Sequence, residues 1–305
     1  MAARTLRKDY RAAFRDLERN GLAAASAILA GYVGSILLAI TLGAWAIAEA
    51  GAWAVAIVPA LMVLIATRLR GLNNIVHECT HFAFVEGNAV NDLLGKIAAV
   101  PVFASFTRYR AEHATHHTYL GDSERDADLR ELLVFGLDRP VDRRMLLRHI
   151  ATPLLGLHLR RYLSPDLSMQ DGAAFGLAKR ALLSGVAAAA LAFPLTVLLL
   201  VVLPYAWVYT GLNYWADCID HAGRLNAADE LYKSRNFIVS PPLRMLFFPR
   251  GDCYHLIHHL FPSVPVQHFP ACHAQLMADP EYRALSHHPA LPPAAAPPAG
   301  AEVGT

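Results

Sequence analysis

The chain has 305 residues, of which 55% are hydrophobic and 17% charged. Ordinary soluble domains carry roughly 25% charged residues, so a soluble globular class fits poorly. A net charge of +2, with no Arg/Lys-rich stripe interleaved with aromatics, excludes nucleic acid as a partner. Cys79, Cys218, Cys253 and Cys272 lack CxxC spacing, which argues against a disulfide framework and a cysteine-based zinc knuckle.

Residues 1–20 mix basic and acidic side chains ahead of any apolar run, unlike a cleavable signal. They read either as an amphipathic helix at a membrane surface or as a solvated arm. An uncharged stretch from Gly21 to Ala48 follows, long enough to cross a hydrocarbon core, which needs about 20 helical residues. A second stretch, Ala52 to Thr67, is ended by Arg68 and Arg70, so the two predict a tight hairpin. The apolar block from Lys179 to Trp215 is too long for one span, and Pro194 removes a helix donor near its middle. Two crossings are expected there, at about 176–193 and 195–216, with one kinked helix plus a re-entrant segment as the alternative. The Pro/Ala-rich end, within the tail 276–305, is expected to be disordered.

Basic residues flank both hairpins on the same side: Arg4 to Arg19 before the first span, Arg68 and Arg70 after the second, Lys179 and Arg180 before the third. The positive-inside rule then places both termini and the region 68–179 in the cytoplasm. Within that region the apolar run Ile97 to Phe106 is expected at the membrane surface.

Fifteen histidines are the unusual feature of the composition. Eight fall in three clusters: His77 and His81; His113, His116 and His117; His255, His258 and His259. Residues three and four apart share a helix face, so each cluster can present its imidazoles together, beside a predicted membrane boundary. His221 follows the last predicted span. Imidazole ligates zinc, copper, iron and nickel, and nine histidines exceed the needs of one four-coordinate zinc. They suit two metals with open positions. His149, His158, His268, His273, His287 and His288 lack such partners and are expected to be ordinary polar residues.

The ordered set HxxxH, HxxHH, HxxHH resembles the membrane fatty acid desaturase/hydroxylase superfamily. Tyr109-Arg110 before His113, the run Gly121-Asp122 to Asp128 after His117, and YHLIHHLFPSVP at 254–265 add to the likeness, which extends over about residues 20–275. The resemblance implies an all-α integral membrane fold. Four spans in two hairpins would carry a cytoplasmic helical cap with a di-iron centre, as one membrane domain (21–275) between the N-terminal arm and the tail. It implies that His77, His81, His113, His116, His117, His255, His258 and His259 are ligands, with His221 as the ninth. It further implies oxygen-dependent desaturation of a fatty acyl or other lipid-like chain, with two iron ions and O2 as co-substrate. Hydroxylation or ketolation of a lipid, carotenoid or small secondary metabolite shares the same pattern. Asp217, one turn before His221, either faces the metals or holds a water, or is only a boundary carboxylate. Asp122, Asp126 and Asp128 either orient imidazoles or form a solvated acidic loop.

No GxGxxG loop, iron–sulfur cysteine pattern or HPGG haem stretch occurs. A separate electron donor is therefore expected, a ferredoxin or a cytochrome with its reductase. Arg108, Arg110, Arg143, Arg144, Arg160 and Arg161 would form its docking face or meet lipid phosphates. Trp207, Tyr209, Tyr214 and Trp215 read as interfacial anchors or as tunnel lining. A rival class is a membrane zinc protease, since His77-Glu78-Cys79-Thr80-His81 also matches HExxH, whose Glu is a general base. On the favoured reading Glu78 faces away from the metals or bonds a ligand's second nitrogen. A non-enzymatic metal-binding membrane protein would more often place ionisable residues inside the spans.

Overall fold

The computed structural model describes residues 2–130 and 132–289; the predicted disorder of the Pro/Ala-rich end lies outside them. Among the described residues the chain is helical, and the one β contact is an isolated bridge between Asn20 and Val85. Helix α1 (Ala2–Phe14) is followed by α2 (Leu22–Glu49), which turns through Gly51 at φ +53° into α3 (Ala54–Thr80). Next come α4 (Asn88–Ala99), α5 (Phe106–Tyr119), the single turn α6 (Ala127–Arg130), α7 (Arg143–Leu154) and the turn α8 (Leu159–Tyr162). Helix α9 (Ala173–Ala192) ends at Phe193. The chain re-enters as α10 (Pro194–Val197), passes through two π-helical stretches, and continues as α11 (Thr210–His221). Short helices α12 (Pro241–Phe247), α13 (His255–Leu260), α14 (Phe269–Leu276) and α15 (Pro280–Arg283) complete the fold.

Four helical stretches are long and apolar enough to cross a membrane: Leu22–Glu49, Gly51–Thr80, Ala173–Ala192 and Pro194–His221. Their outward faces carry large apolar side chains, among them Leu37, Leu38, Trp45 and Leu191, which suits contact with lipid rather than water. Close helix packing is made by small residues. Gly71 of α3 lies directly against the Tyr32 ring of α2, and a Cβ at Gly43 would sit 2.6 Å from Leu200. The apolar block after Lys179 divides at Pro194, as expected. The π register around Pro204 keeps the fourth stretch helical where an α register would lose a hydrogen bond.

Three expectations are corrected. Arg68 and Arg70 end the apolar run of α3 but not the helix, which continues three turns to Thr80. Arg70 is buried, bonded to Asp252 and to Asn213 Oδ1 (2.7 Å), while Arg68 lies over the Tyr32 ring and donates to Met245 O (2.9 Å). Their charges are satisfied by distant segments, so the helix need not stop. Second, α1 is not a free arm: one face of it docks against the cap while the other stays exposed. Its apolar face (Ala3, Leu6, Phe14) is buried with Leu256, Leu260, Phe261 and Leu276. Its Arg7 pairs with Glu230 at 2.7 Å and donates to His259 O (2.9 Å) and Leu260 O (3.1 Å). Third, most of the run Ile97 to Phe106 packs inward, with Ala98, Ala99, Val102 and Phe106 in the core and Ile97 left exposed.

Helices α3, α9 and α11 meet the remaining helices at one end of the bundle, where the N-terminus of α5 is held firmly. Ser105 caps it, and Asp171 accepts from Phe106 N (3.1 Å) and Thr107 N (2.9 Å). Lys179, fully buried, faces Asp171 at 3.5 Å and donates to Ala104 O at 2.8 Å.

Candidate metal centre

Each histidine cluster sits on a helix that the fold aims at one point. The last turns of α3 carry His77 and His81, the second half of α5 carries His113, His116 and His117, α11 ends in His221, and α13 carries His255, His258 and His259. These nine residues form two groups whose candidate ligand nitrogens lie within 4.8 Å of one another. One is His77, His81, His113, His117 and His258; the other is His116, His221, His255 and His259. The groups adjoin, with the His117 ring stacked on His259 at 4.5 Å between centroids. All nine predicted residues are therefore brought together, and none of the six histidines expected to be ordinary joins either group.

The hydrogen bonds fix which nitrogen faces inward. His113 Nδ1 bonds Asp128 Oδ2 (3.0 Å), His116 Nδ1 bonds Asp126 (3.1 Å), and His221 Nδ1 donates to Lys233 O (3.1 Å). A proton committed outward on Nδ1 leaves Nε2 as an acceptor. Yet the Nε2 atoms face one another: His77 to His113 at 2.9 Å, His113 to His117 at 3.0 Å, His117 to His258 at 2.9 Å, and His255 to both His221 and His259 at 2.9 Å. Converging lone pairs on buried imidazoles repel unless a shared cation lies among them. The donor set therefore fits metal ions, and sets of five and four exceed one structural zinc.

Burial keeps these rings neutral, the form that binds metal. It pushes His113, His117, His255, His258 and His259 well down and His81 to about 4, and neighbouring imidazoles or guanidinium add to the effect. His116 is the exception: burial opposes its charge, but the bond to Asp126 and the nearby carboxylates outweigh it and raise its pKa.

The acidic loop resolves differently from the simplest expectation. Asp122 reaches no histidine; it accepts from Arg125 Nε (2.7 Å) and from Glu124 N (3.0 Å), closing its own turn. Asp126 and Asp128 are the residues that hold imidazoles, because α6 turns back beneath α5. Asp220, not singled out from the sequence, lies 3.4 Å from His255 Nδ1; adjacency to His221 was its only signal. Glu78 faces away from the rings, with both oxygens on Arg250 at 2.5 and 2.7 Å. A zinc-protease geometry, which needs this Glu at the metal, is therefore not formed. Asn236 was also missed. Its Oδ1 accepts from Leu256 N (3.1 Å) and Ile257 N (3.3 Å), capping the helix of the third cluster, while its Nδ2 donates to Tyr282 OH (2.8 Å).

Openings on three sides reach the centre, the tightest, of about 20 Å³, beside His77, His81, His255 and His258. A cavity of about 210 Å³ lies between α3, α5 and α11, walled by His77, His113, His116, His221 and His255 together with a polar lining. Asp217 belongs to that lining and accepts the Tyr162 hydroxyl at 2.6 Å. A wider cleft of about 770 Å³ on another side reaches His117 and His259 past Arg7, Arg125 and Lys233. Of the aromatics near the fourth span, Tyr214 is fully buried with its hydroxyl 2.7 Å from His149 Nδ1, and Tyr209 is also buried. Trp207 and Trp215 donate to Pro153 O (2.7 Å) and His149 O (3.0 Å). Arg110 is held between the Phe82 and Phe106 rings and pairs with Asp92 at 2.5 Å.

A helical membrane bundle whose cap gathers two histidine sets defines the class: a membrane oxidoreductase of the desaturase/hydroxylase type. The sequence profile described as fatty acid desaturase matches residues 50–290, and the chain belongs to that family. It is 29% identical over 244 residues to the dihydrorhizobitoxine desaturase of Bradyrhizobium elkanii, covering 73% of this chain and 69% of that protein. The sn-1 oleoyl-lipid 12-desaturase of Anabaena variabilis is 35% identical over 85 residues, 28% of this chain and 23% of that protein. The sn-1 acyl-lipid omega-3 desaturase (ferredoxin) of Nostoc sp. (strain 36) is 28% identical over 68 residues, 22% of this chain and 19% of that protein. The chain thus spans only about a fifth of the length of these two lipid desaturases.

Proposed function

We propose that the protein is an oxygen-dependent di-iron desaturase whose metal-bearing cap and termini face the cytoplasm. The observation that carries this reading is the pair of buried histidine sets with their acceptor nitrogens turned inward. One iron would be held by His77, His81, His113, His117 and His258, and the other by His116, His221, His255 and His259. Iron suits imidazole donors; two irons with dioxygen supply an oxidant that removes hydrogen from unactivated carbon.

The reaction balances as a CH2–CH2 unit, O2, two electrons and two protons giving an alkene and two waters. The protein's own part is to hold the rings through Asp126, Asp128, Asp220 and the Lys233 carbonyl, and to limit solvent at the centre. The substrate carbon would approach through the 210 Å³ cavity. Electrons would arrive from a separate donor at the wide cleft, whose wall includes one candidate ligand of each set, His117 and His259. A ferredoxin is a fitting donor, since the Nostoc relative carries that word in its name.

Elemental analysis of detergent-purified protein tests the centre: two irons per chain are expected, with loss in His116→Ala and His258→Ala. One zinc per chain that ignores both substitutions would overturn it. Product analysis with a chemical or ferredoxin reductant then separates alkene from alcohol.

A further inference from the structure

We propose that the cavity beside the histidines receives a small molecule bearing a protonated amine, with Asp217 as its counter-ion. This rests on the desaturase reading above and departs from the acyl-chain substrate that the family resemblance implies.

Size comes first. The cavity of about 210 Å³ is below the roughly 300–1,000 Å³ of pockets that hold drug-sized ligands. That suits a short chain and a headgroup.

The wall is the second argument. An acyl chain needs a continuous apolar lining, but here Leu129, Leu132 and Ala216 share the wall with carboxylates, amides and phenols. Most of those groups are already committed. Arg70, the one Lys or Arg in the wall, is bonded to Asp252 and Asn213. Asp128 and Asp220 serve His113 and His255. Asp217 is different: its Oδ2 accepts from the neutral Tyr162 hydroxyl, and among the described residues no Lys or Arg forms an ion pair with it. The half-buried Asn73 side chain also lines the cavity. Methylenes placed here would strip water from a carboxylate and an amide with nothing in return. An ammonium group would replace that water with charge-assisted hydrogen bonds to Asp217 and a further bond to Asn73.

Position is the third. Asp217 precedes His221 by one turn of α11, about 6 Å along the axis at 1.5 Å per residue. An amine anchored at Asp217 would leave a few carbons to extend toward the rings, so the counter-ion would set which carbon is oxidised.

Calorimetric titration of the full chain in lipid nanodiscs, with empty nanodiscs subtracted, tests this using n-hexylamine, hexan-1-ol and hexanoic acid as probes. Hexylamine is expected to bind in preference to both others. Asp217→Asn is expected to weaken hexylamine binding by about tenfold or more, as loss of a charge-assisted bond does, and Asp217→Glu to restore part of it. Hexylamine binding no tighter than hexanol, or equal binding to wild type and Asp217→Asn, would overturn the proposal. Should Asp217→Asn not fold, the order of the three probes on wild type decides alone. Iron content of the same samples separates the two readings: amine selectivity without iron would support the cavity assignment and overturn the di-iron centre.

Discussion

Asp126 and Asp122 lie four residues apart in one acidic loop, yet only Asp126 touches an imidazole. Removing an outer hydrogen-bond partner of a metal-bound histidine lowers metal affinity by about 10–100-fold. Asp126→Ala is therefore expected to weaken metal binding by that order in a chelator-competition titration, while Asp122→Ala leaves it unchanged. The sequence made the nine histidines legible because i, i+3 and i, i+4 spacing is local to each helix. It could not rank three aspartates in one loop, since the turn of α6 beneath α5 is a tertiary event. Glu78 invites a second test. Opposite Arg250 it balances a buried charge, and breaking such a pair costs about 3–5 kcal/mol. Glu78→Ala is expected to lower thermal stability by that order, and Glu78→Gln by less. A general base at this position would instead show itself as lost turnover at unchanged stability.

Helix α13 has only six residues and depends on what surrounds it. Asn236 caps its first turn and is itself fixed by Tyr282, whose hydroxyl meets His273 Nδ1 at 2.9 Å; His287 Nδ1 lies 3.2 Å from Asn236 Nδ2. With Asn236 donating, His287 Nδ1 must be an acceptor, so the ring is neutral. His273 is pushed down to about 4 by burial and then by His287 and His288. The unfolded chain takes up this proton near pH 6.5, so between there and about pH 4 the unfolded state binds more protons. Stability is then full above pH 6.5 and falls as pH drops through that window. Urea midpoints should follow this course in wild type, with a shallower fall in His273→Phe. Equal slopes in both proteins would exclude His273 as a contributor. At this scale the reading from sequence erred where a distant partner intervened. Arg68 and Arg70 look like span-ending charges until Asp252 and the Met245 carbonyl are placed beside them.

Across the molecule, four apolar stretches meet one polar cap, and the basic residues predict which side that cap occupies. Fusing a protease-cleavable tag after Thr305 in sealed membrane vesicles should give cleavage only where the cytoplasmic face is outward. Cleavage from the opposite face would reverse the proposed orientation. Hydropathy made this architecture legible, since a crossing demands a long uninterrupted apolar run. The docking of α1 was not legible, because an amphipathic face does not state whether lipid or protein covers it. That docking also bears on the order in which the molecule is made. Arg7 clasps the carbonyls of His259 and Leu260, and the candidate ligands run from His77 to His259. Helix α1 cannot dock before residues 259 and 260 are in place, and a segment that stops short of His259 lacks part of the set of rings. A nascent chain stalled before residue 255 would offer a metal ion only an open, half-built site.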